Sequence, residues 1–281
     1  MPIIHAIVLG LVQGLSEFLP ISSSGHLLLV PWLFGWDDFS GPDGDRIKKT
    51  FDVALHLGTF VAVLGYFWSD VVVYVRNGTR LVLSRSRPAT VEGRLAWFFV
   101  LATIPAAAVG AVLEDTIDSA LGTPTIIAIS LIVFGVLLGW ADRVAGSRGV
   151  ERFGARDALV VGAAQALALN PGTSRSGITI TGARALGFDR DAAARISFVM
   201  SLPVIAGAVV FKTYGAVTEG IPSDLLVPMA IGIVTSGLSG WAAVWGTLRL
   251  IRTRSFLPFV VYRIALGVLV LFLIAIGFRS G

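Results

Sequence analysis

Asn170-Pro171-Gly172-Thr173-Ser174-Arg175-Ser176-Gly177 interrupts an apolar segment running from about 157 to 187, and the reading of this break decides the fold. A guanidinium and three hydroxyls embedded in apolar sequence are costly and mark function by default. The segment follows a loop carrying Arg143, Arg148, Arg152 and Arg156, a signal for the cytoplasmic side. It precedes an apolar run, 193–215, that leads to a loop holding Glu219 and Asp224. If that run crosses outward, 157–187 has to begin and end on the same side. A crossing helix cannot do this. A re-entrant hairpin can, with Pro171-Gly172 at the turn, provided its irregular backbone is buried in protein or lines a cavity.

The rest of the chain supports a membrane setting. Of its 281 residues, 55% are hydrophobic and 14% charged, with a mean hydropathy of +0.81, outside the range of soluble domains. The net charge is +4, but the arginines sit in short loops between apolar runs, which argues for membrane orientation and against a nucleic-acid partner. No cysteine is present, so disulfide and thiolate chemistry are excluded. The N-terminus lacks a basic leader and a small-residue cleavage site, so its first apolar stretch is expected to belong to the fold.

Six runs, roughly 52–75, 94–113, 124–141, 193–215, 225–248 and 256–278, are long enough to cross about 30 Å of hydrocarbon at about 1.5 Å per residue. Arg76, Arg80, Arg85, Arg87 and Arg94 against Glu92 place the first loop inside; Glu114, Asp115 and Asp118 place the next outside. Arg249, Arg252 and Arg254 precede the last run, so the C-terminus is expected outside. The remaining segment, 3–34, then enters from the outer side and turns around Leu19-Pro20 and Ser24-Gly25.

Sliding the chain by 152 positions lays Gln13 on Gln165, Ser22 on Ser174, Ser24 on Ser176 and Gly25 on Gly177, with Ser23 opposite Arg175. Opposite entry sides and three crossings after each hairpin make this an inverted repeat. The expected fold is therefore an all-α polytopic membrane protein. It has six transmembrane helices and two re-entrant helical hairpins in one domain, 1–281, with halves 1–142 and 152–281.

The two motifs carry different chemistry. Arg175 is suited to gripping a phosphate through two parallel hydrogen bonds. Thr173, Ser174 and Ser176 add hydroxyls, and Gly172 and Gly177 let backbone amides approach an anion. The competing reading has Arg175 neutralised by Glu17 and the serines capping a half-helix. In the first motif, Gln13-Gly14-Leu15-Ser16-Glu17-Phe18-Leu19-Pro20-Ile21-Ser22-Ser23-Ser24-Gly25-His26, the spacing puts Ser23 and His26 on one helical face, where the imidazole would take the serine proton. Ser22 or Ser24 is expected to cap. Gln13, four residues before Glu17, would hold that carboxylate; Glu17 would serve as base, orient His26, or contact a divalent cation carried by a diphosphate. Asp52 and His56 make only a weak metal pattern, and His56 reads as structural. Arg184, Arg195 and Arg263 read as snorkelling or headgroup-contacting residues near helix ends.

Residues 13–26 together with Pro171-Gly172-Thr173-Ser174-Arg175-Ser176-Gly177 resemble the two signature motifs of the undecaprenyl-diphosphate phosphatase family, associated with bacitracin resistance. Phe51 to Val63, Gly93 to Gly110, Ser197 to Gly207 and Ser255 to Arg263 extend the resemblance over nearly the whole chain. It implies removal of the terminal phosphate from a polyprenyl diphosphate, recycling the carrier lipid for cell-envelope glycan synthesis, in the plasma membrane and with an outward-facing site. It places Glu17, Ser23, His26 and Arg175 in the catalytic set, and Ser22, Ser24, Ser174, Ser176 and Thr179 at phosphate-binding positions. Many relatives have glutamate where Gln13 stands, so a role needing two carboxylates does not transfer. No tightly bound cofactor is expected beyond a magnesium or calcium ion accompanying the diphosphate, and a homodimer is compatible with the fold. The rival reading is a polyprenyl-phosphate flippase or proton-coupled transporter on the same repeat, with Glu17 and His26 carrying protons.

Overall fold

The computed structural model describes residues 1–84, 88–220 and 222–280, with the side chains of 114–119 and 211–219 outside that description. The orientation arguments that used Arg85, Arg87, Glu114, Asp115, Asp118 and Glu219 therefore fall outside the described residues and side chains. Among the described residues the ordered elements are helices, with one isolated bridge between Arg148 and Phe188.

Two short apolar helices, α1 (Ile3–Phe18) and α2 (Ser23–Phe34), open the chain. At 16 and 12 residues, each falls short of the ~20 residues a crossing needs. The bent pair α3 (Gly44–Tyr66) and α4 (Trp68–Leu83) follows, then α5 (Val91–Leu101), α6 (Ile104–Leu121) and α7 (Pro124–Asp142). A second pair of short helices, α8 (Ala155–Ala166) and α9 (Arg175–Ala185), is joined through a 3-10 turn at Leu167–Leu169. The chain ends with α10 (Arg190–Glu219), α11 (Leu226–Ile251) and α12 (Leu257–Ala275).

Five stretches are long and apolar enough to span a bilayer: Val91–Leu113, Pro124–Asp142, Arg190–Val210, Ser223–Ile251 and Leu257–Ala275. The protein is thus an all-helical, multi-pass membrane protein. The sixth expected crossing, 52–75, falls on the bent pair, and the count of six holds if that pair is one span. Its helix starts at Gly44, and α3 and α4 meet at 81°. The bend falls at Phe67, whose backbone leaves the helical region (φ −99°, ψ 20°). Its ring is buried and meets Tyr66 edge-on at 5.1 Å. Val71, Val72 and Val73 continue the apolar composition past the bend, which is why hydropathy alone runs through it. Beyond it, α4 buries only Gly78 and packs on α5, where Trp97 Nε1 donates to the Gly78 carbonyl at 3.1 Å.

The first arm of each hairpin packs against helices from the other half of the chain. α1 lies along α11, and α8 lies on α5 and α6. Small residues allow the closest of these approaches: a Cβ at Gly14 would collide with Ser239 Oγ and the Ser236 carbonyl. Ser236 Oγ donates to the Leu55 carbonyl of α3 at 2.7 Å, so α11 is gripped from both sides. Small residues and interhelical hydroxyl bonds are what drive helix association where lipid removes the hydrophobic difference. Trp245, Val234 and Leu238 of α11 are exposed in a way that suits lipid.

Candidate active site

Both hairpins are broken by the same local device. Ser22 and Ser174 are the non-glycine residues with positive φ among the described residues, at 81° and 74°. Each is the N-cap of the following helix: Ser22 Oγ accepts from Gly25 N at 3.3 Å, and Ser174 Oγ from Gly177 N at 3.0 Å. A left-handed serine is an uncommon and strained conformation. Its appearance twice, at an offset of 152, follows from two helices that must start abruptly inside the protein, where water cannot satisfy their first amides.

The two tips are then tied together. Ser22 Oγ also accepts from Gly172 N at 3.1 Å, and Ser176 Oγ donates to the Leu19 carbonyl at 3.1 Å. Arg263 of α12 completes the join, donating to the carbonyls of Pro20 (3.1 Å), Gly172 (2.9 Å), Thr173 (2.9 Å) and Leu131 (3.2 Å). This corrects the reading of Arg263 as a snorkelling residue: it is fully buried. The physical reason is the demand of the two turns, which leave three buried carbonyls, beside that of Leu131 in α7, that only a multi-donor side chain can serve at once. Arg184 is likewise buried and bonds the carbonyls of Phe188, Asp142 and Val144. Arg195 pairs with Asp191 at 2.7 Å.

Within this frame Glu17, at the end of α1, is buried and contacted on both oxygens. Ser23 Oγ donates to Oε2 at 2.6 Å and Gln13 Nε2 donates to the same oxygen at 3.1 Å. Arg175 Nη2 donates to Oε1 at 2.9 Å. Arg175 Nη1 bonds the Ser197 carbonyl at 3.2 Å, while its Nε is buried with no hydrogen-bond partner. The structure thus brings Glu17, Ser23, Gln13 and Arg175 together, with the i,i+4 contact from Gln13 in place.

His26 is placed differently from the expected serine–imidazole pair. Its Nδ1 lies 2.7 Å from the Ser22 carbonyl and its Nε2 lies 2.8 Å from the Tyr262 hydroxyl. A carbonyl only accepts, so Nδ1 carries the proton, and in the neutral ring Nε2 accepts from Tyr262. Both nitrogens have partners other than Ser23, because the tight cap at Ser22 turns its carbonyl onto the imidazole. His56, read from sequence as structural, instead points Nε2 at Glu17 Oε2 from 3.7 Å, with Nδ1 held by the Asp52 carbonyl at 2.7 Å. Of the other expected phosphate-binding groups, Thr179 is buried against Ser197 Oγ at 2.7 Å, Ser174 and Ser176 lie 3.2 Å apart, and the Gly177 amide is used in the cap. Ser24 is exposed.

Sequence reasoning missed Tyr262 and Ser197, which lie 236 residues from His26 and 22 from Arg175 and carry no local signal. Arg263 did carry one: it stands inside the run 256–278 rather than at its edge. Among the described residues no three His, Cys, Asp or Glu side chains gather as a metal cage. Glu17 offers one carboxylate, with Ser23 and Gln13 on one oxygen and Arg175 on the other.

Residues 6–269 match the family model described as bacitracin resistance protein BacA. The undecaprenyl-diphosphatase of Pelotomaculum thermopropionicum is 42% identical over 276 residues, covering 98% of both chains. That of Geotalea daltonii is 45% identical over 281 residues, covering 99% of this chain and 100% of the relative. A third, from Geobacter sulfurreducens, is 46% identical over 269 residues, covering 95% and 96%. A match from α1 to α12 that takes in both capped serines and the Glu17–Arg175 contact makes this chain a member of the bacitracin resistance protein BacA family.

Proposed function

We propose that the protein is an integral membrane phosphatase that hydrolyses undecaprenyl diphosphate to the monophosphate and inorganic phosphate. The observation that carries this reading is the double engagement of Glu17, with the Ser23 hydroxyl at 2.6 Å on one oxygen and the Arg175 guanidinium at 2.9 Å on the other. A hydroxyl donating to a buried carboxylate is a nucleophile with its base in reach. A neighbouring arginine with an unpartnered Nε is a donor reserved for an incoming anion.

In the proposed reaction the terminal phosphate draws Arg175 from Glu17 and takes its donors. Glu17 accepts the Ser23 proton as Oγ attacks phosphorus in line, and that proton passes to the bridging oxygen of the departing undecaprenyl monophosphate. In the second half, water attacks the phosphoserine, gives its proton to Glu17, and that proton returns to Ser23 Oγ as the P–O bond breaks. Arg175 and nearby amides offset the charge on the transferring group, where most of the catalysis of phosphoryl transfer resides. His26 acts by position, holding the Ser22 carbonyl and so the turn that aims Ser23. Any magnesium or calcium ion would come as part of the diphosphate substrate and would supply charge neutralisation there, with Glu17 the nearest carboxylate of the chain to it.

The halves 1–142 and 152–281 are read as an inverted repeat, supported by the paired positive-φ caps and the crossed packing of α1 and α8. With arginine-rich loops inside, the site opens to the outer face of the plasma membrane. The test is phosphate release by detergent-purified protein from undecaprenyl diphosphate, with radiolabelled terminal phosphate to trap the intermediate. Release that is lost in Ser23→Ala, with label on Ser23 in the wild type, is the expected result. Label on neither Ser23 nor His26 overturns the covalent step. Absence of release, with Ser23→Ala and Arg175→Ala indistinguishable from wild type, favours a transporter.

A further inference from the structure

Two recesses adjoin at the arginine-rich end, away from the Glu17 cluster. One, of about 530 Å³, is polar and lined by Asp142, Arg143, Arg184, Asp189, Arg190 and Arg252. The other, of about 460 Å³, is an apolar groove between α7 and α12, lined by Val136, Gly139, Trp140, Leu257, Val260 and Ile264. Asp142, Arg143 and Arg190 belong to both, so a charged chamber continues into a hydrocarbon-facing slot. That shape fits an amphiphile with an anionic head.

The charges narrow the head further. Each carboxylate in the chamber is already committed: Asp142 accepts from Arg190 Nε at 2.6 Å and Phe256 N at 3.0 Å. Asp189 caps α10 through Ala192 N at 2.7 Å, and Asp191 holds Arg195 and Arg252 at 2.7 and 3.3 Å. Against them, Arg143 makes no side-chain hydrogen bond or ion pair among the described residues. Arg184, buried to 4% exposure, has an Nε without a hydrogen bond, its nearest carboxylate oxygen lying 3.9 Å away on Asp142. Four guanidiniums line the chamber against three carboxylates that are already occupied, one of them shared with Arg195, so the lining is net positive. A phosphodiester head suits that positive lining, and the apolar groove beside it suits an acyl chain. Basic pockets between helices on the arginine-rich side are where lipid headgroups bind.

We propose that this end carries a second, non-catalytic site for a bilayer phospholipid with a monoanionic phosphodiester head, its phosphate between Arg143 and Arg184 and one acyl chain in the α7–α12 groove. The site is independent of the phosphatase reading. Its test is native mass spectrometry of the full protein released from detergent with dioleoyl-phosphatidylglycerol or dioleoyl-phosphatidylcholine. Wild type is expected to retain phosphatidylglycerol about tenfold better, the equivalent of one charge-assisted hydrogen bond. The exposed pair Arg143→Gln/Arg252→Gln should erase that preference while the control Arg254→Gln keeps it, and Val136→Trp, filling the groove, should weaken retention of the same lipid. Equal retention of both lipids by wild type, or a preference that survives in Arg143→Gln/Arg252→Gln, overturns the proposal. Displacement of the phosphatidylglycerol by equimolar farnesyl monophosphate overturns it in favour of a prenyl phosphate.

Discussion

Ser22 Oγ accepts the Gly172 amide at 3.1 Å across 150 residues of sequence, so the turn of one hairpin is completed by the turn of the other. The same oxygen caps α2 through Gly25 N. Neither hairpin tip has a full set of partners without its counterpart, and the Glu17–Arg175 contact is made at the place where they join.

Ser22→Ala removes an acceptor from two buried amides and keeps a Cβ at positive φ. Ser22→Gly loses the same bonds but relieves the backbone, a difference of about 1–2 kcal/mol. Thermal unfolding in detergent is therefore expected to rank wild type above Ser22→Gly and Ser22→Gly above Ser22→Ala. Ser174, with φ 74° and a matching cap, should give the same order. A Ser22→Ala protein as stable as Ser22→Gly would show that the left-handed turn is not what this position resists.

Arg263→Lys should behave as a radical change although charge is kept. Its guanidinium serves four carbonyls on three separate segments, and an ammonium on a flexible stem cannot span them. Leaving even one or two buried carbonyls unmet costs about 1–3 kcal/mol each. We expect a lowered melting temperature and reduced phosphate release together; a lysine variant that melts with wild type would remove Arg263 from its place as the tie between the tips.

These two positions show what a single sequence discloses. The two breaks were legible because proline, glycine and clustered hydroxyls have few uses inside apolar segments, and the offset of 152 lays Ser22 on Ser174, the two positions with positive φ. Gln13 and Glu17 were legible because i,i+4 spacing is local. The partners of His26 and Arg263 were not, because carbonyl direction at a turn is set by tertiary packing and leaves no mark on residue type. The 81° bend at Phe67 was hidden for a related reason: hydropathy reports composition along the run and is blind to its direction.

Glu17→Gln keeps the shape of the side chain and removes the proton acceptor. Phosphate release at saturating substrate should fall by about 10²–10⁴-fold, the usual contribution of a positioned base. Arg175 keeps hydrogen-bond acceptors in the Ser197 carbonyl and the new amide oxygen but loses its counter-charge, so the melting temperature is expected to fall and activity is compared on protein shown to be folded. Activity within tenfold of wild type would transfer the base role elsewhere, with His56, 3.7 Å from the same carboxylate, the next residue to replace.

Gly14→Ala tests the packing that carries α1. The added Cβ would meet the Ser236 carbonyl and, at 2.7 Å, the Gly240 amide, which are backbone atoms of α11 and cannot rotate away. Overpacking of this kind costs about 1–3 kcal/mol. A drop in melting temperature is expected that Ser239→Ala does not rescue, although Ser239 Oγ is also in the way. Rescue by Ser239→Ala would mean that the side chain, rather than the backbone, limits the approach of the two helices.

Tyr262→Phe isolates what the far partner of His26 contributes. The phenol hydroxyl is 2.8 Å from Nε2 and the rings lie nearly parallel, 12° apart at a centroid distance of 5.6 Å. Removing only the oxygen leaves the ring packing and the Nδ1 bond to the Ser22 carbonyl. If His26 works by holding that turn, the loss is one neutral hydrogen bond of about 0.5–1.5 kcal/mol, less than about thirteenfold in rate. His26→Ala, which releases the Ser22 carbonyl as well, should cost far more in kcat than in KM, because a misaimed Ser23 binds substrate but attacks poorly. The opposite pattern is equally readable. Were His26 the nucleophile, Nε2 would have to leave Tyr262 to attack, and Tyr262→Phe would free it; a Tyr262→Phe protein faster than wild type would therefore move the attack from Ser23 to His26.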